Sequence, residues 1–176
     1  MCGIIGIHNN KEASTLAYMG LYAQQHRGQE GAGVVSSDGK ELHRHMGQGL
    51  VSDVFSNSEV FDSLIGDSAI GHVRYSTTGD SDAANVGPLT FNMGGYSLSI
   101  AHNGNLVNID EIRKKLQDDG ALFQTSTDTE IIIHLLAREK GNTLAEKLGK
   151  VLNKIEGAYS LILLSPNELI AARDPH

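Results

Sequence analysis

Cysteine and proline are scarce in this sequence. It has a single cysteine, Cys2, and three prolines against twenty glycines. One cysteine excludes an internal disulfide framework and fits a reducing compartment, so we expect a cytoplasmic protein. Abundant glycine with so little proline indicates many tight turns in an ordered chain, not a flexible linker.

Positive charge and long hydrophobic runs are scarce as well. The sequence has 14 Lys and Arg and 21 Asp and Glu, which gives a formal charge of −7 at pH 7, and no basic cluster offsets this negative charge. A nucleic-acid partner therefore has no electrostatic support. The N-terminus lacks the charged and apolar regions of a signal peptide, and no run is long enough to span a bilayer. A length of 176 residues suits one soluble domain, residues 1–176, with no membrane partner.

The hydrophobic pattern predicts an α+β fold. Short apolar segments typical of strands occur at 3–7, 31–37, 68–76, 96–102 and 158–164. Helical spacing covers 12–26, 109–118, 129–139 and a segment that starts near 144. Because most strands follow each other as hairpins, we expect largely antiparallel sheets covered by helices. Several strands are apolar on both faces, which indicates that the sheets also pack on each other.

Cys2 directly follows the initiator Met1 and precedes a short apolar strand. If Met1 is removed, one residue carries both a thiol and a free α-amino group. The thiolate is the nucleophilic form of cysteine, and an α-amino group titrates near pKa ~8, so it can accept the thiol proton. Cys2 is therefore either a catalytic nucleophile with its own base or a buried structural cysteine.

Arg74 lies in a predicted strand whose other residues are mostly apolar, so we expect it to point inward. A buried guanidinium requires a partner, and a carboxylate is the natural match. That partner is either an internal Asp or Glu or the carboxylate of a small substrate. His72 lies two residues earlier and therefore on the same face of the strand.

Two other segments could contribute polar groups to a site. Asn103-Gly104 follows the predicted strand 96–102 and is either an ordinary turn or an oxyanion hole made of a side-chain amide and a backbone N–H. Asp128 lies in a capping-box pattern from Thr127 to Glu130, where its charge suits the start of a helix. It could equally bind a substrate ammonium, and Thr77 could add a hydroxyl contact beside Arg74.

Other candidates are weaker. His43 and His45 share one face of a strand, but no third ligand is evident, so we expect no metal site. His134 on an apolar helix is typical of a core residue. The sequence contains no phosphate-binding loop and no nucleophile elbow.

Together, spaced blocks of residues resemble the class II glutamine amidotransferases, a family of N-terminal-nucleophile hydrolases. The matching blocks are Cys2-Gly3-Ile4-Ile5-Gly6, His26-Arg27-Gly28-Gln29-Glu30-Gly31-Ala32-Gly33, His72-Val73-Arg74-Tyr75-Ser76-Thr77, His102-Asn103-Gly104-Asn105 and Ser126-Thr127-Asp128-Thr129-Glu130. They run through the whole chain in the expected order and are most similar to the glutaminase half of the amidophosphoribosyltransferase family.

The resemblance implies a four-layer αββα sandwich and a glutaminase that works through a Cys thioester. It implies that Cys2 is the nucleophile, and that Asn103 and Gly104 form the oxyanion hole. The remaining implied roles are substrate binding by Arg74, Thr77 and Asp128, and support of the site by Arg27, Gly28 and His72.

The same resemblance implies that ammonia passes to a phosphoribosyltransferase half that is absent from this chain. Phosphoribosyl diphosphate, Mg²⁺ and a possible iron–sulfur cluster would belong to that half, whereas the glutaminase half needs no cofactor. Full-length members would form homo-oligomers and catalyse the first step of purine synthesis.

One departure from the family pattern is Asn85-Val86-Gly87-Pro88, where a Gln is expected before the proline. No implied catalytic role depends on that position. Three alternatives stay open at this stage: the glutaminase half of another amidotransferase, a glutamine-binding regulatory module with a blocked nucleophile, and a purely structural role.

Overall fold

The computed structural model of the chain describes residues 2–75 and 83–175. The strands are β1 Gly3–Ile7, β2 Gly31–Ser37, β3 Leu42–Gln48, β4 Ser68–Arg74, β5 Leu89–Met93, β6 Tyr96–Leu106, β7 Gly157–Ser165 and β8 Glu168–Arg173. The helices are α1 Ala13–Ala23, α2 Val51–Val54, α3 Val60–Ser63, α4 Ile109–Asp118, α5 Asp128–Arg138 and α6 Leu144–Leu152. Short 3₁₀ turns occupy Gln25–Arg27 and Ala83–Asn85.

The strands form two antiparallel four-stranded sheets. The first sheet has the order β1-β4-β2-β3, and the second is a meander with the order β5-β6-β7-β8. In the first sheet Gly3 pairs with Val73, so the start of β1, next to Cys2, lies beside the end of β4, next to Arg74. The register therefore places the two strongest candidates of the sequence at one end of this sheet.

The layers confirm the predicted α+β class and the four-layer sandwich. One apolar cluster joins α1 to the outer face of the first sheet, and it includes Leu21 and Val73. A second cluster fills the space between the sheets, and it includes Ile70 and Ala101. A third and larger cluster joins the second sheet to α5 and α6. No helix of the described residues is long and apolar enough to cross a bilayer.

Strand alternation decides which polar side chains reach the interior between the sheets. On β4, Ala69 and Val73 pack toward α1, whereas Ile70 packs between the sheets. Because successive side chains point to opposite faces, His72 and Arg74 share the face of Ile70. The inward orientation predicted for Arg74 follows from this alternation.

Two local predictions were wrong. The strand predicted to end at His102 continues as β6 to Leu106, so Asn103-Gly104 lies inside a strand that pairs with β7 and is not a turn. Thr127 is the N-cap residue of α5 but makes no side-chain capping bond. At the start of α6 an N-cap bond does form, because Thr143 Oγ1 accepts a hydrogen bond from the Glu146 N–H at 3.1 Å.

Candidate active site

A cavity of about 190 Å³ lies where the ends of β1 and β4 meet β6 and the start of α5. Ligand pockets for drug-sized molecules usually exceed about 300 Å³, so this cavity suits a ligand of amino-acid size. Its lining brings together residues from all the sequence blocks except the one around Arg27: Cys2, His72, Arg74, His102, Gly104, Ser126, Thr127 and Asp128.

Cys2 occupies one wall of the cavity and is half-buried. Its thiol lies 3.8 Å from the Tyr75 carbonyl oxygen, to which it donates. Behind it, Arg27 Nε donates to the Cys2 carbonyl oxygen at 3.1 Å. These contacts fix the main chain of Cys2 at the cavity while its sulfur stays partly accessible.

Gly28 lies behind the same wall and packs directly against the end of β4. A Cβ atom at this position would come within 2.6 Å of the Arg74 carbonyl oxygen, which no side chain tolerates without a shift of the backbone. Gly28 therefore permits the close approach that keeps the Arg27 turn beside Arg74.

Arg74 has internal partners and also lines the cavity. Its Nε lies 3.8 Å from Glu30 Oε2, and its Nη1 donates to the Asn85 carbonyl oxygen at 3.2 Å. The structure thus contains the internal carboxylate that the sequence left open as one alternative. A guanidinium has five N–H donors, so contacts with residues 2–75 and 83–175 leave some of them for a ligand.

Asp128 supplies negative charge to the same lining, from the first position of α5. Its Oδ1 lies 3.2 Å from His102 Nδ1, and its Oδ2 accepts from the Leu106 N–H at 3.4 Å. Burial alone would raise the pKa of Asp128, but the hydrogen bond and charge interaction with His102 and the backbone N–H donors outweigh it, so the pKa is lowered. Asp128 is therefore an ionised carboxylate facing a small cavity that also holds a guanidinium.

His72 lies beneath these groups and is neutral at physiological pH. Burial, followed by the charges of His102 and Arg74, lowers the pKa of His72 from 6.5 to about 3. Both ring nitrogens are buried, and the backbone of His102 only partly offsets the lowering. A protonated His72 would place a second cation beside Arg74. A neutral His72 avoids this charge repulsion.

The lowered pKa of His72 makes stability depend on pH. Between pH 6.5 and about 3 the unfolded chain binds a proton at His72 that the native chain does not bind. The free energy of unfolding therefore falls as pH decreases through this window. We expect the His72→Leu variant to lose much of this slope in urea unfolding curves measured from pH 7 to pH 4.

The matched control is His134→Leu. Burial also lowers the pKa of His134, but Glu130 opposes the effect, and the side chain is 20% exposed. This control should change the slope less than His72→Leu does. Equal slopes for His72→Leu and the parent would contradict a buried neutral His72.

Gly104 and Asn103 lie on β6, which supplies part of the cavity lining. Gly104 lines the cavity, whereas the Asn103 side chain is not part of the described lining. By strand alternation Asn103 shares the face of Ala101, which packs toward the first sheet and its strand β1. The oxyanion roles of Asn103 and Gly104 remain predictions, and Thr77 lies outside the described residues.

The segment before α5 forms another wall, and sequence reasoning missed what holds it. The buried Glu130 carboxylate accepts from the N–H groups of Gln124 and Thr125 and from Thr125 Oγ1. Arg113 donates to the carbonyl oxygens of Thr125 and Thr127. The Glu in the apparent capping box thus anchors this loop instead of capping the helix, a difference that four-residue spacing does not reveal.

Asn85 is a second residue that sequence reasoning did not select. It is 2% exposed, and its side chain makes a pair of hydrogen bonds with Ser126 in the same wall. It ends the 3₁₀ turn Ala83–Asn85, and no short-range sequence signal marks it.

Outside the cavity, one group of possible metal ligands exists among the described residues. Atoms of Asp38, Glu41 and His43 lie within 4.8 Å of one another in the β2–β3 turn. The N–H groups of Glu41 and Lys40, followed by His43, lower the pKa of Asp38 to about 2. His43 therefore has two carboxylates near it that the sequence pattern of His43 and His45 did not indicate, and His45 is not part of the group.

Comparison with known proteins agrees with this geometry. Residues 72–176, more than half of the chain, match the glutamine amidotransferase domain family. The amidophosphoribosyltransferase of Lacticaseibacillus casei is 43% identical over 175 residues, which cover 99% of this chain and 90% of that protein. The chain is a glutamine amidotransferase domain of the amidophosphoribosyltransferase family. The resemblance found in the sequence is confirmed.

Other members of the family are longer than this amidotransferase domain. The Bacillus subtilis amidophosphoribosyltransferase is 45% identical over 176 residues, 99% of this chain and 37% of that protein. A solved structure described as the allosteric regulatory enzyme of purine biosynthesis superposes with a TM-score of 0.94 at 44% identity, covering 99% of this chain and 37% of the other. The domain thus spans little more than a third of the length of these two relatives.

Proposed function

We propose that this domain hydrolyses the side-chain amide of glutamine to glutamate and ammonia. One observation carries the proposal: a single cavity of amino-acid size holds a thiol, a guanidinium and an ionised carboxylate. The guanidinium of Arg74 would bind the α-carboxylate of glutamine, and Asp128 would bind its α-ammonium group. Opposite charges on both sides of the α-carbon select a zwitterionic amino acid and leave its side chain for Cys2.

In the first half of the reaction, the Cys2 thiolate forms an S–C bond with the side-chain carboxamide carbon. The carbonyl oxygen becomes an oxyanion that the Gly104 N–H and the Asn103 amide would stabilise, at about 3 kcal/mol per donor. The α-amino group of Cys2 takes the thiol proton and then gives it to the leaving nitrogen, so the C–N bond breaks and ammonia departs.

In the second half, water attacks the γ-glutamyl thioester and releases glutamate with the thiol restored. The same α-amino group serves as the base for that water. This chemistry requires that Met1 be removed, because an acylated α-nitrogen is not basic.

In the intact enzyme, we propose, the ammonia reaches a second active site where phosphoribosyl diphosphate is the acceptor. Any Mg²⁺ or iron–sulfur cluster would be held by that other half. An iron–sulfur cluster commonly takes four cysteine ligands, and Cys2 is the only cysteine in these 176 residues.

The test of this function is glutamine turnover and its dependence on Arg74. The parent should release glutamate and ammonia in equal amounts from L-glutamine. Arg74→Ala should raise KM for glutamine at least about 30-fold, since truncating one partner of a buried charge pair costs about 2 kcal/mol or more. Because the guanidinium binds substrate and transition state alike, kcat should change less than KM.

Arg44→Ala is the matched control for this experiment. Arg44 is an exposed arginine on β3 of the same sheet and lies outside the cavity lining. Its removal should leave KM and kcat unchanged. An unchanged KM for Arg74→Ala would remove Arg74 from the site, and a parent without glutaminase activity would refute the proposed function.

A further inference from the structure

We infer that Asn85 is a positioning residue that sets the span between the carboxylate-binding and ammonium-binding sides of the cavity. The inference rests on the proposed function, because it concerns how the two charged ends of glutamine are held at once. It assigns a role in amino-acid selectivity to a residue of the cavity lining that acts through its bonds to Arg74 and Ser126.

The contacts of Asn85 reach both sides of the site. Its main-chain carbonyl accepts from Arg74 Nη1 at 3.2 Å. Its side-chain Oδ1 accepts from the Ser126 N–H at 3.2 Å, and its Nδ2 donates to Ser126 Oγ at 3.0 Å. One residue therefore links the guanidinium at the end of β4 to the wall that leads, two residues later, to Asp128.

Arg74 and Asp128 belong to different layers of the sandwich. Arg74 ends a strand of the first sheet, whereas Asp128 begins a helix on the outer face of the second sheet and is tied to His102 and Leu106 of β6. Contacts between the sheets are mostly apolar, and such packing is non-directional. A directional restraint at the cavity therefore adds to what this packing fixes.

The other restraints on the wall act within its own layer. Glu130 and Arg113 hold the loop from α5 and α4, and both helices cover the second sheet. Among the hydrogen bonds of the described residues, the Asn85–Ser126 pair ties this loop to the side that carries Arg74. Asn85 is also 2% exposed, so water does not compete with the pair.

The experiment measures ligand affinity by calorimetry in the intact protein carrying Cys2→Ala, so that no turnover occurs. Two ligands are compared: L-glutamine, and 4-carbamoylbutanoate, which is glutamine without its α-ammonium group. Asn85→Ala keeps the carbonyl that binds Arg74 but loses both bonds to Ser126. It should weaken L-glutamine binding about tenfold, the effect of one or two buried hydrogen bonds. Binding of the analogue should change less than about twofold, because only Arg74 engages it.

A general loosening of the cavity would weaken both ligands by the same factor, and that result would overturn the inference. Unchanged affinity for L-glutamine would overturn it as well. Ser126→Ala removes one of the two bonds and should weaken L-glutamine binding by a smaller factor. If Asn85→Ala fails to fold, the same comparison of the two ligands in Ser126→Ala tests the inference. The double variant should match Asn85→Ala alone.

Asn92→Ala is the matched control. Asn92 is exposed on β5, and its side-chain oxygen accepts a hydrogen bond from Ser97 Oγ at 2.9 Å. The Asn92→Ala variant therefore loses a similar Asn–Ser contact away from the cavity. Both affinities should stay at parent values. If the parent itself fails to bind L-glutamine, the proposed function and this inference are both wrong. If the parent binds L-glutamine and Asn85→Ala binds it equally well, the inference alone is wrong.

Discussion

The Cys2→Ala variant is expected to lose glutaminase activity by at least about 10⁴-fold, because removing a covalent nucleophile removes the intermediate on which every later step depends. The cavity should still bind glutamine, since Arg74 and Asp128 are untouched. Steady-state release of ammonia measures the first effect, and calorimetry measures the second. Full activity in Cys2→Ala would contradict the proposed mechanism.

Two further proteins separate the roles of the thiol and the α-amino group. Cys2→Ser keeps a hydroxyl nucleophile and an N-terminal amine, so it should retain a small residual rate. A protein with one extra residue between Met1 and Cys2 keeps the thiol but loses the amine beside it, and it should be as inactive as Cys2→Ala. Intact-mass measurement must show that Met1 is absent from the parent, because all rates are compared with that species.

The Gly104→Ala variant is expected to lose both stability and activity. An added Cβ would lie 2.1 Å from the Ala158 carbonyl oxygen and 2.8 Å from Tyr159 Cα, within the pairing of β6 with β7. Overpacking of this kind costs about 1–3 kcal/mol of the free energy of unfolding. If the Gly104 N–H stabilises the oxyanion, its displacement should lower kcat by about 10²-fold.

Gly149→Ala is the matched control for Gly104→Ala. Gly149 is exposed within α6, and an added Cβ there meets no atom within 4 Å. Alanine in a helix interior is favoured over glycine by about 1 kcal/mol, so this variant should be slightly more stable and fully active. Thermal unfolding and ammonia release measure both variants. A Gly104→Ala protein with parent kcat would remove the Gly104 N–H from the oxyanion hole.

Much of the fold was predictable because its strands carry strong local signals. Gly3–Ile7 and Gly31–Ser37 have the predicted bounds. The predicted end of β6 at His102 was wrong because Asn-Gly, which follows it, is a frequent turn signal. Pairing with β7 overrides that signal, and the backbone of Gly104 fits against Ala158 only because it carries no side chain.

The candidate site was predictable to the extent that its residues are unusual for their surroundings. Cys2 is notable for its position and Arg74 for its charge in an apolar strand, so both were selected from sequence. Asn85 and Glu130 have no such contrast. Each is recognised only by its partners, Ser126 for Asn85 and the backbone of 124–125 for Glu130.

The chemical groups of the site could be inferred from the sequence: one thiol next to the N-terminus, a cation in a strand and a carboxylate at a helix start, together with the family to which these blocks belong. The folded chain was needed to see that Arg74 and Asp128 face one small cavity with Cys2, and that Glu30, His102 and Asn85 hold them there. Local patterns indicate which face of an element a side chain occupies. Distances between elements depend on sheet register and on packing between layers, and no short segment contains that information.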